Sequence, residues 1–406
     1  MTTQTTNNNL KQHTMKKKLF LGLAALATVA LTSCQKDQVI NQVPQEQPIE
    51  FGTYLGRDAQ TKASDMDLDA LKAAGFGVFA YYTGDEEYNN SATTPNFMYN
   101  QKVNWNTTVW EYSPVKYWPN NTADKITFMA YSPYLDNGAS TSKVTGVSTN
   151  TVSGNPYIQF SVVDDPSNHK DLVYAKVENK SKINTYAEDI TFSFNHALSR
   201  IGFRCIGMYD EINQDINGNY DDYTHTLTDA NTTITVQKIV LKGKFNTTGQ
   251  LDLYSGDWTK IGSNENTEVT YIISNDPNGD DNTDDSELEN VSTTSNTLST
   301  QLNKNSEFIM IVPSYSNETA DNIKGITIQV IYTITTSDGA INGGSVSVTN
   351  DVTSTQFEFN FAPGKAYTFN LHFGLQSVKF SATQTINGWD SSNGEIAVNV
   401  HINAQP

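Results

Sequence analysis

The residues able to do chemistry in this 406-residue chain are scattered. Its six histidines (His13, His169, His196, His225, His372, His401) show neither H-x-x-H nor H-E-x-x-H spacing, so no pair sits one helical turn apart to hold a catalytic zinc. No G-x-S-x-G turn places a nucleophilic serine ahead of a helix pattern. A carboxylate pair for glycoside hydrolysis can be chosen many ways from 44 Asp and Glu, and that freedom has no weight without geometry. His196, in Phe194-Asn-His196-Ala-Leu198, reads as a hydrogen-bonded structural residue rather than a catalyst. Asn213-x-Asp215-x-Asn217-Gly218 opens as an EF-hand calcium loop does, yet Thr224 stands where the bidentate glutamate belongs. Asp280-x-Asn282-x-Asp284 has the alternation of oxygen donors without the glycine or the closing glutamate. Both read as solvated loops, and no metal ligand, cofactor or catalytic residue is assigned.

Trp105, Trp110, Tyr112, Tyr117 and Trp118 crowd one stretch. Aromatics with polar edges suit a sugar platform, for which Trp105, Trp110 and Tyr112 are the candidates. The stronger reading is core. Val115-Lys-Tyr117-Trp118-Pro119 followed by Ile126-Thr-Phe128 is a strand leading through a turn into the next, with large rings filling space between sheets.

The elements that must carry these residues are strands. Ile49/Phe51/Leu55, Ile126/Phe128/Ala130, Ile190/Phe192/Phe194, Ile201/Phe203/Cys205, Ile326/Ile328/Val330, Phe357/Phe359/Phe361 and Ile396/Val398/Val400/Ile402 alternate with period two, the mark of half-buried strands. Asn-Gly occurs six times, supplying positive φ for tight turns. One helix is expected near Asp65–Ala74, with Ser64 as N-cap and Gly75 as stop. The fold class is all-β. About 355 residues after the N-terminal segments make two β-sandwiches at roughly 100–150 residues each, with long insertions. The boundary falls near 187, giving sandwiches at 49–187 and 188–406.

Outside the first 34 residues, 22 basic residues face 44 acidic ones, so nucleic acid is excluded as a partner. Only Cys34 and Cys205 are present, so neither a disulfide framework nor a cysteine zinc site holds the fold. Residues Met15–Cys34 read as an export signal: three lysines, about fifteen apolar residues, then small residues ending at a cysteine. The run is too short to span a bilayer as a helix. Leu31-Thr-Ser-Cys34 resembles the bacterial lipobox, which implies lipidation at Cys34 and removal of the preceding peptide. Met15 is expected to be the true start. Residues 35–48, rich in Gln, Asn and Pro, read as an extended tether between the lipid and the first domain, and Lys36-Asp37 resembles a short signal for the outer membrane.

Ile49-x-Phe51, Gly75-Phe-Gly-Val-Phe-Ala80, Tyr117-Trp-Pro119, Phe128-Met-Ala-Tyr-Ser-Pro133, Asp171-Leu-Val-Tyr-Ala175, Phe194-Asn-His-Ala-Leu-Ser-Arg-Ile201, Phe361-Ala-Pro-Gly-Lys-Ala-Tyr367 and Ile386-Asn-Gly-Trp389, in that order, resemble the fimbrillin (Mfa-like) family. These are type V pilus subunits of anaerobic two-membrane bacteria. The resemblance implies two transthyretin-like β-sandwiches, export as a surface lipoprotein, and removal of the N-terminal segment by an arginine-specific protease. The vacated groove then accepts a strand from a neighbouring subunit, itself or a paralogue, in a fimbrium serving adhesion to a host or bacterial surface receptor. Arg57 is the first of three arginines, the others being Arg200 and Arg204 inside an apolar-alternating segment. Cleavage between Arg57 and Asp58 would release the strand of Ile49, Phe51 and Leu55. Ile396, Val398, Val400 and Ile402 lie on one face of the last segment, which is either a donor strand or the completion of its own sandwich. The alternatives are an unprocessed anchor or tip adhesin, a carbohydrate-binding surface lipoprotein, and a glycan hydrolase on a sandwich.

Overall fold

The period-two segments form strands, and these pair into five sheets among the described residues. In the computed structural model the described residues are 46–55, 65–90, 93–135, 141–151, 153–182, 189–207, 232–261, 268–274, 289–291, 308–316, 323–337, 344–373, 378–385, 395–402 and 404–405. The expected helix is present as Leu68–Ala74. Its N-cap is Asp67 rather than Ser64, because the Asp67 carboxylate accepts from the Ala70 N–H, and Gly75 ends it at a φ of 67°.

Three apolar cores organise the sheets. The first lies on one face of a six-stranded antiparallel sheet, ordered Asn195–His196, Val173–Lys180, Lys125–Ser132, Phe76–Gly84, Met98–Trp105, Trp110–Glu111. Phe76, Val78, Ala80, Ile126, Phe128 and Ala130 meet Ile49, Phe51, Ile190 and Phe192 there. The opposite face turns Phe79, Tyr81, Met129 and Tyr131 into a second core with Val144, Ile158, Phe160, Leu251 and Trp258. The central strands Phe76–Gly84 and Lys125–Ser132 are therefore buried on both faces for most of their length. The half-buried expectation fails for Ile126/Phe128/Ala130 because their strand is a middle layer.

The second core is shared along the chain. Its four-stranded sheet pairs Tyr157–Ser161 with Thr248–Asp252, so strands from both sides of residue 187 build it. The third core lies between two further sheets and holds Ile201, Phe203, Ile239, Leu241, Ile328, Val330, Phe369 and Leu371. One of these sheets runs in the order Ile309–Ile311, Ser199–Gly207, Ala366–Phe373, Val378–Thr385, Glu395–Ile402. The other runs Val269–Ser274, Thr232–Gly243, Ile323–Ser337, Ser345–Ser354, Ala404–Gln405.

The segment Phe194–Ile201 threads all three cores: Phe194 enters the first, Ala197 and Leu198 the second, Ile201 the third. The Phe361–Tyr367 segment crosses it. Gly364 donates its N–H to the Leu198 carbonyl, and the Lys365 carbonyl accepts from the Arg200 N–H. Gly364 has a φ of 66°, and a Cβ there would sit 2.7 Å from the His196 carbonyl oxygen. Only glycine fits that crossing.

His169 ties the second core together. Its Nδ1 accepts from the Met310 N–H at 2.8 Å. Nε2 therefore carries the proton and donates to the Val163 carbonyl at 2.8 Å. Burial pushes its pKa down from 6.5 to about 4, against the raising effects of the Val163 hydrogen bond and of Asp165 and Asp164. The unfolded chain thus binds a proton that the folded chain refuses. This contribution is complete above pH 6.5 and is lost as pH falls from 6.5 through 4, for about 3 kcal/mol in all. In denaturant titrations at a series of pH values, His169→Gln should flatten the decline across that window. An unchanged slope would contradict a neutral buried imidazole.

Candidate strand groove and terminal strand

The segment before residue 56 is an inserted strand more than an integrated one. Phe51–Tyr54 pairs in parallel with Ile190–Ser193 and forms only a two-stranded sheet with it. The Ile190 N–H donates to the Glu50 carbonyl at 2.8 Å and the Phe194 N–H to the Tyr54 carbonyl at 2.9 Å. Upstream, the Ile49 N–H donates to the Lys116 carbonyl and the Trp118 N–H to the Gln47 carbonyl, both at 2.9 Å.

Inward side chains fill a groove over the six-stranded sheet. Ile49 and Phe51 are 1% and 4% exposed, whereas Tyr54 is 54% exposed. The Phe51 ring lies 5.3 Å from Tyr112, 5.5 Å from Phe192, 6.0 Å from Phe128 and 6.2 Å from Phe76, between centroids. Burying Ile49 and Phe51 is worth ~1.5–3 kcal/mol apiece. Leu55 is partly buried against the same core. Two polar contacts set the register: Tyr112 Oη donates to the Ile49 carbonyl at 2.8 Å, and Trp110 Nε1 donates to Thr53 Oγ1 at 3.1 Å.

The structure therefore brings Trp105, Trp110 and Tyr112 together as a groove wall. Trp110 packs edge-on against Phe76 at 4.8 Å and against Trp105 at 5.3 Å, and Lys72 Nζ sits 5.1 Å from the Trp105 ring centroid. The rings of Trp110 and Tyr112 face the resident strand and the core, as does Trp118, whereas Tyr117 is 44% exposed and the stretch 115–119 makes a single bridge rather than a strand.

Downstream, the chain is clasped as soon as it enters the described residues again. Arg200 donates to the Asp65 carboxylate at 2.5 Å, and its guanidinium lies 4.1 Å from the Phe308 ring centroid. Burial pushes the Asp65 carboxyl above its usual range in spite of the Arg200 charge. The Met66 N–H donates to Asp171 Oδ2 at 3.1 Å, and the same oxygen lies 2.7 Å from His196 Nδ1. Asp171 Oδ1 accepts from the Leu172 N–H at 2.6 Å. His196 is thus hydrogen-bonded inside a structural cluster. Sequence reasoning did not single out Asp65 or Asp171. The available signal was Arg200 beside Ile201 and Phe203, since a charge within an apolar alternation has to find a buried partner.

Arg57, Asp58, Cys34, the export segment and the loops of 213–218 and 280–284 lie outside the described residues. Arg204 lies in the strand Ser199–Gly207, where its backbone pairs with Asn370.

The terminal strand Glu395–Ile402 pairs antiparallel with Val378–Thr385, setting Ile396 opposite Gln384 and Val398 opposite Ala382. It is the edge strand of its sheet, with one side of its backbone in no ladder among the described residues. The chain then crosses to the facing sheet, where Ala404 and Gln405 pair with Ser354 and Thr353. Phe51–Tyr54 and Glu395–Ile402 thus each ladder to one strand, with a second short pairing at Pro48 to Tyr117 for the first and at Ala404–Gln405 for the second.

A family model described as Fimbrillin-like matches residues 61–389. The chain is 25% identical over 389 residues to fimbrium subunit Fim1C of Phocaeicola vulgatus, covering 93% of this chain and 98% of that protein. It is also similar in fold to the crystal structure of a fimbrial protein from Bacteroides vulgatus, with a TM-score of 0.61 and 22% identity, over 85% of this chain and 100% of that one.

Proposed function

The chain belongs to the fimbrillin-like family, non-enzymatic structural proteins of pili, and from that premise we propose that this cell-surface fimbrial subunit assembles by exchanging strands. In this reading it is exported through the signal ending at Cys34, is lipidated there, and reaches the outer membrane on the 35–48 tether. Cleavage between Arg57 and Asp58 releases the groove strand with Ile49, Phe51 and Leu55. A neighbouring subunit's strand then enters the groove, while Ile396, Val398, Val400 and Ile402 enter a neighbour in turn. The body divides into two transthyretin-like sandwiches, 49–187 and 188–406, with the strands of 190–196 packed onto the first and the middle core shared.

One observation carries the reading: the segment just ahead of Arg57 buries two large apolar side chains, while its backbone ladders only to Ile190–Ser193 and, by one bridge, to Tyr117 among the described residues. Such a strand can leave as a unit without disturbing the sheets beneath, and leaves a groove no water can fill favourably. The clasp at Asp65 and Met66 supports it too, because it holds the new N-terminal region in place once the upstream segment has gone.

N-terminal sequencing of subunits from sheared filaments tests this. The expected start is Asp58, and Arg57→Ala should give a folded protein absent from filaments. A start at Cys34 within filaments, or undiminished incorporation of the variant, would overturn the processing step.

A further inference from the structure

Two side chains of the groove, Tyr112 and Trp110, hydrogen-bond the resident strand, and they read different things. Tyr112 Oη donates to the main-chain carbonyl of Ile49, which every extended strand in this register supplies. Trp110 Nε1 donates to a side chain, Thr53 Oγ1, at 3.1 Å. Trp110 is 8% exposed, and its ring packs on Phe76 and Trp105. An indole N–H is a donor with no acceptor capacity, so Thr53 is the group that satisfies it. When the resident strand leaves, water can take the place of Thr53. When another strand covers the groove, that water is expelled, and the N–H is either paired by the newcomer or buried unpaired.

Resting on the strand-exchange reading above, we infer that Trp110 makes the groove selective for a strand presenting a side-chain oxygen at the position of Thr53. This chain's own last strand is therefore a poor occupant of its own kind of groove. The required inward row is apolar at the position of Ile49, large and apolar at that of Phe51, then an oxygen acceptor. Ile396, Val398, Val400 and Ile402 give a row with no oxygen anywhere. Turning the strand over can set Asn399 at the position of Thr53, but Glu395 then enters the pocket of Ile49 and Ala397 leaves that of Phe51 underfilled. Neither face fits. The partner entering this groove is a subunit of different sequence whose inward row carries a Ser, Thr or Asn two residues after a large apolar residue and four after another apolar one. Assembly on this groove is thus between unlike subunits.

The test uses the full chain nicked after Arg57 by an arginine-specific protease, with every residue retained, and fluorescent peptides that exchange into the groove. A peptide of residues 46–55 should exchange in, its Thr53→Val version should bind about ten-fold more weakly, and its Thr53→Ser version should keep its affinity. Against nicked Trp110→Phe protein, the parent and Thr53→Val peptides should bind alike. A peptide of residues 394–403 should bind several-fold more tightly once Val398 or Val400 is replaced by Thr in the register that meets Trp110. That gain is opposite in sign to what apolar burial predicts, and it needs no change to the protein. Equal affinities of the parent and Thr53→Val peptides for the unsubstituted groove, or no gain from either threonine in the terminal-strand peptide, would overturn the selectivity and leave strand exchange standing. Failure of every peptide to exchange, or of the protease to nick at Arg57, would overturn the strand-exchange reading and this inference with it.

Discussion

Phe51→Ala is expected to lower the stability of the unprocessed chain by about 3–5 kcal/mol, the range for an aromatic ring removed from a packed core. The ring is 4% exposed and touches four other rings that are themselves fixed in the six-stranded sheet or its neighbours. They cannot collapse onto the space it leaves, so a cavity persists. Tyr54→Ala, three positions along and pointing outward, should cost under about 0.5 kcal/mol. Equilibrium denaturation of both variants gives the comparison, and similar losses would mean the strand is not seated by its inward row. The same loss has a functional sign. A strand held less tightly leaves more readily, so after cleavage Phe51→Ala should release its N-terminal segment faster than the parent.

Asp171→Ala should be as damaging, about 3–5 kcal/mol, for a different reason. The carboxylate is 1% exposed and serves the Met66 N–H, the Leu172 N–H and the His196 ring together. Alanine takes that acceptor from the buried Met66 and Leu172 N–H groups, and each buried group left unpaired costs about 1–3 kcal/mol. Asp171→Asn keeps one oxygen and should recover part of the loss. Hydrogen exchange at Met66 and through Leu68–Ala74 should speed up in the alanine variant before global unfolding, since the clasp is what fixes that segment. Unaltered local exchange would show that the helix is held by its apolar face alone.

The strands were legible because alternation is a local signal, and Phe51, Ile190, Ile201 and Ile396 each sit in a strand. The layer count was not legible. Met129 and Tyr131 fall on the off-face of the Ile126/Phe128/Ala130 alternation, and the sheet that helps cover that face is built by pairing Tyr157–Ser161 with Thr248–Asp252, about ninety residues apart. A boundary near 187 does not follow the cores: Ile190, Phe192 and Phe194, just past it, pack in the first, and strands from both sides of it build the second. Ile190 and Phe192 stay with the first core, and Ile201 and Phe203 with the third. The groove was half legible. Its strand and the arginine after it were visible in order along the chain, whereas its wall was visible only as an aromatic cluster. Whether Trp110 faced solvent or Thr53 depended on a contact spanning 57 residues. The helix cap shifted to Asp67 because two acceptable capping residues lie three apart and only the backbone turn decides between them.

If the groove is completed in the fibre by backbone from another molecule, a photo-crosslinking residue in the groove wall, placed as Tyr112→p-benzoylphenylalanine, will capture that molecule when assembled filaments are irradiated. Mass spectrometry should find position 112 joined to a strand of a neighbouring subunit, with residues 46–57 of the same chain gone from the filament. Recovery of position 112 joined to its own Ile49–Tyr54 segment, in filaments that are otherwise intact, would contradict strand exchange.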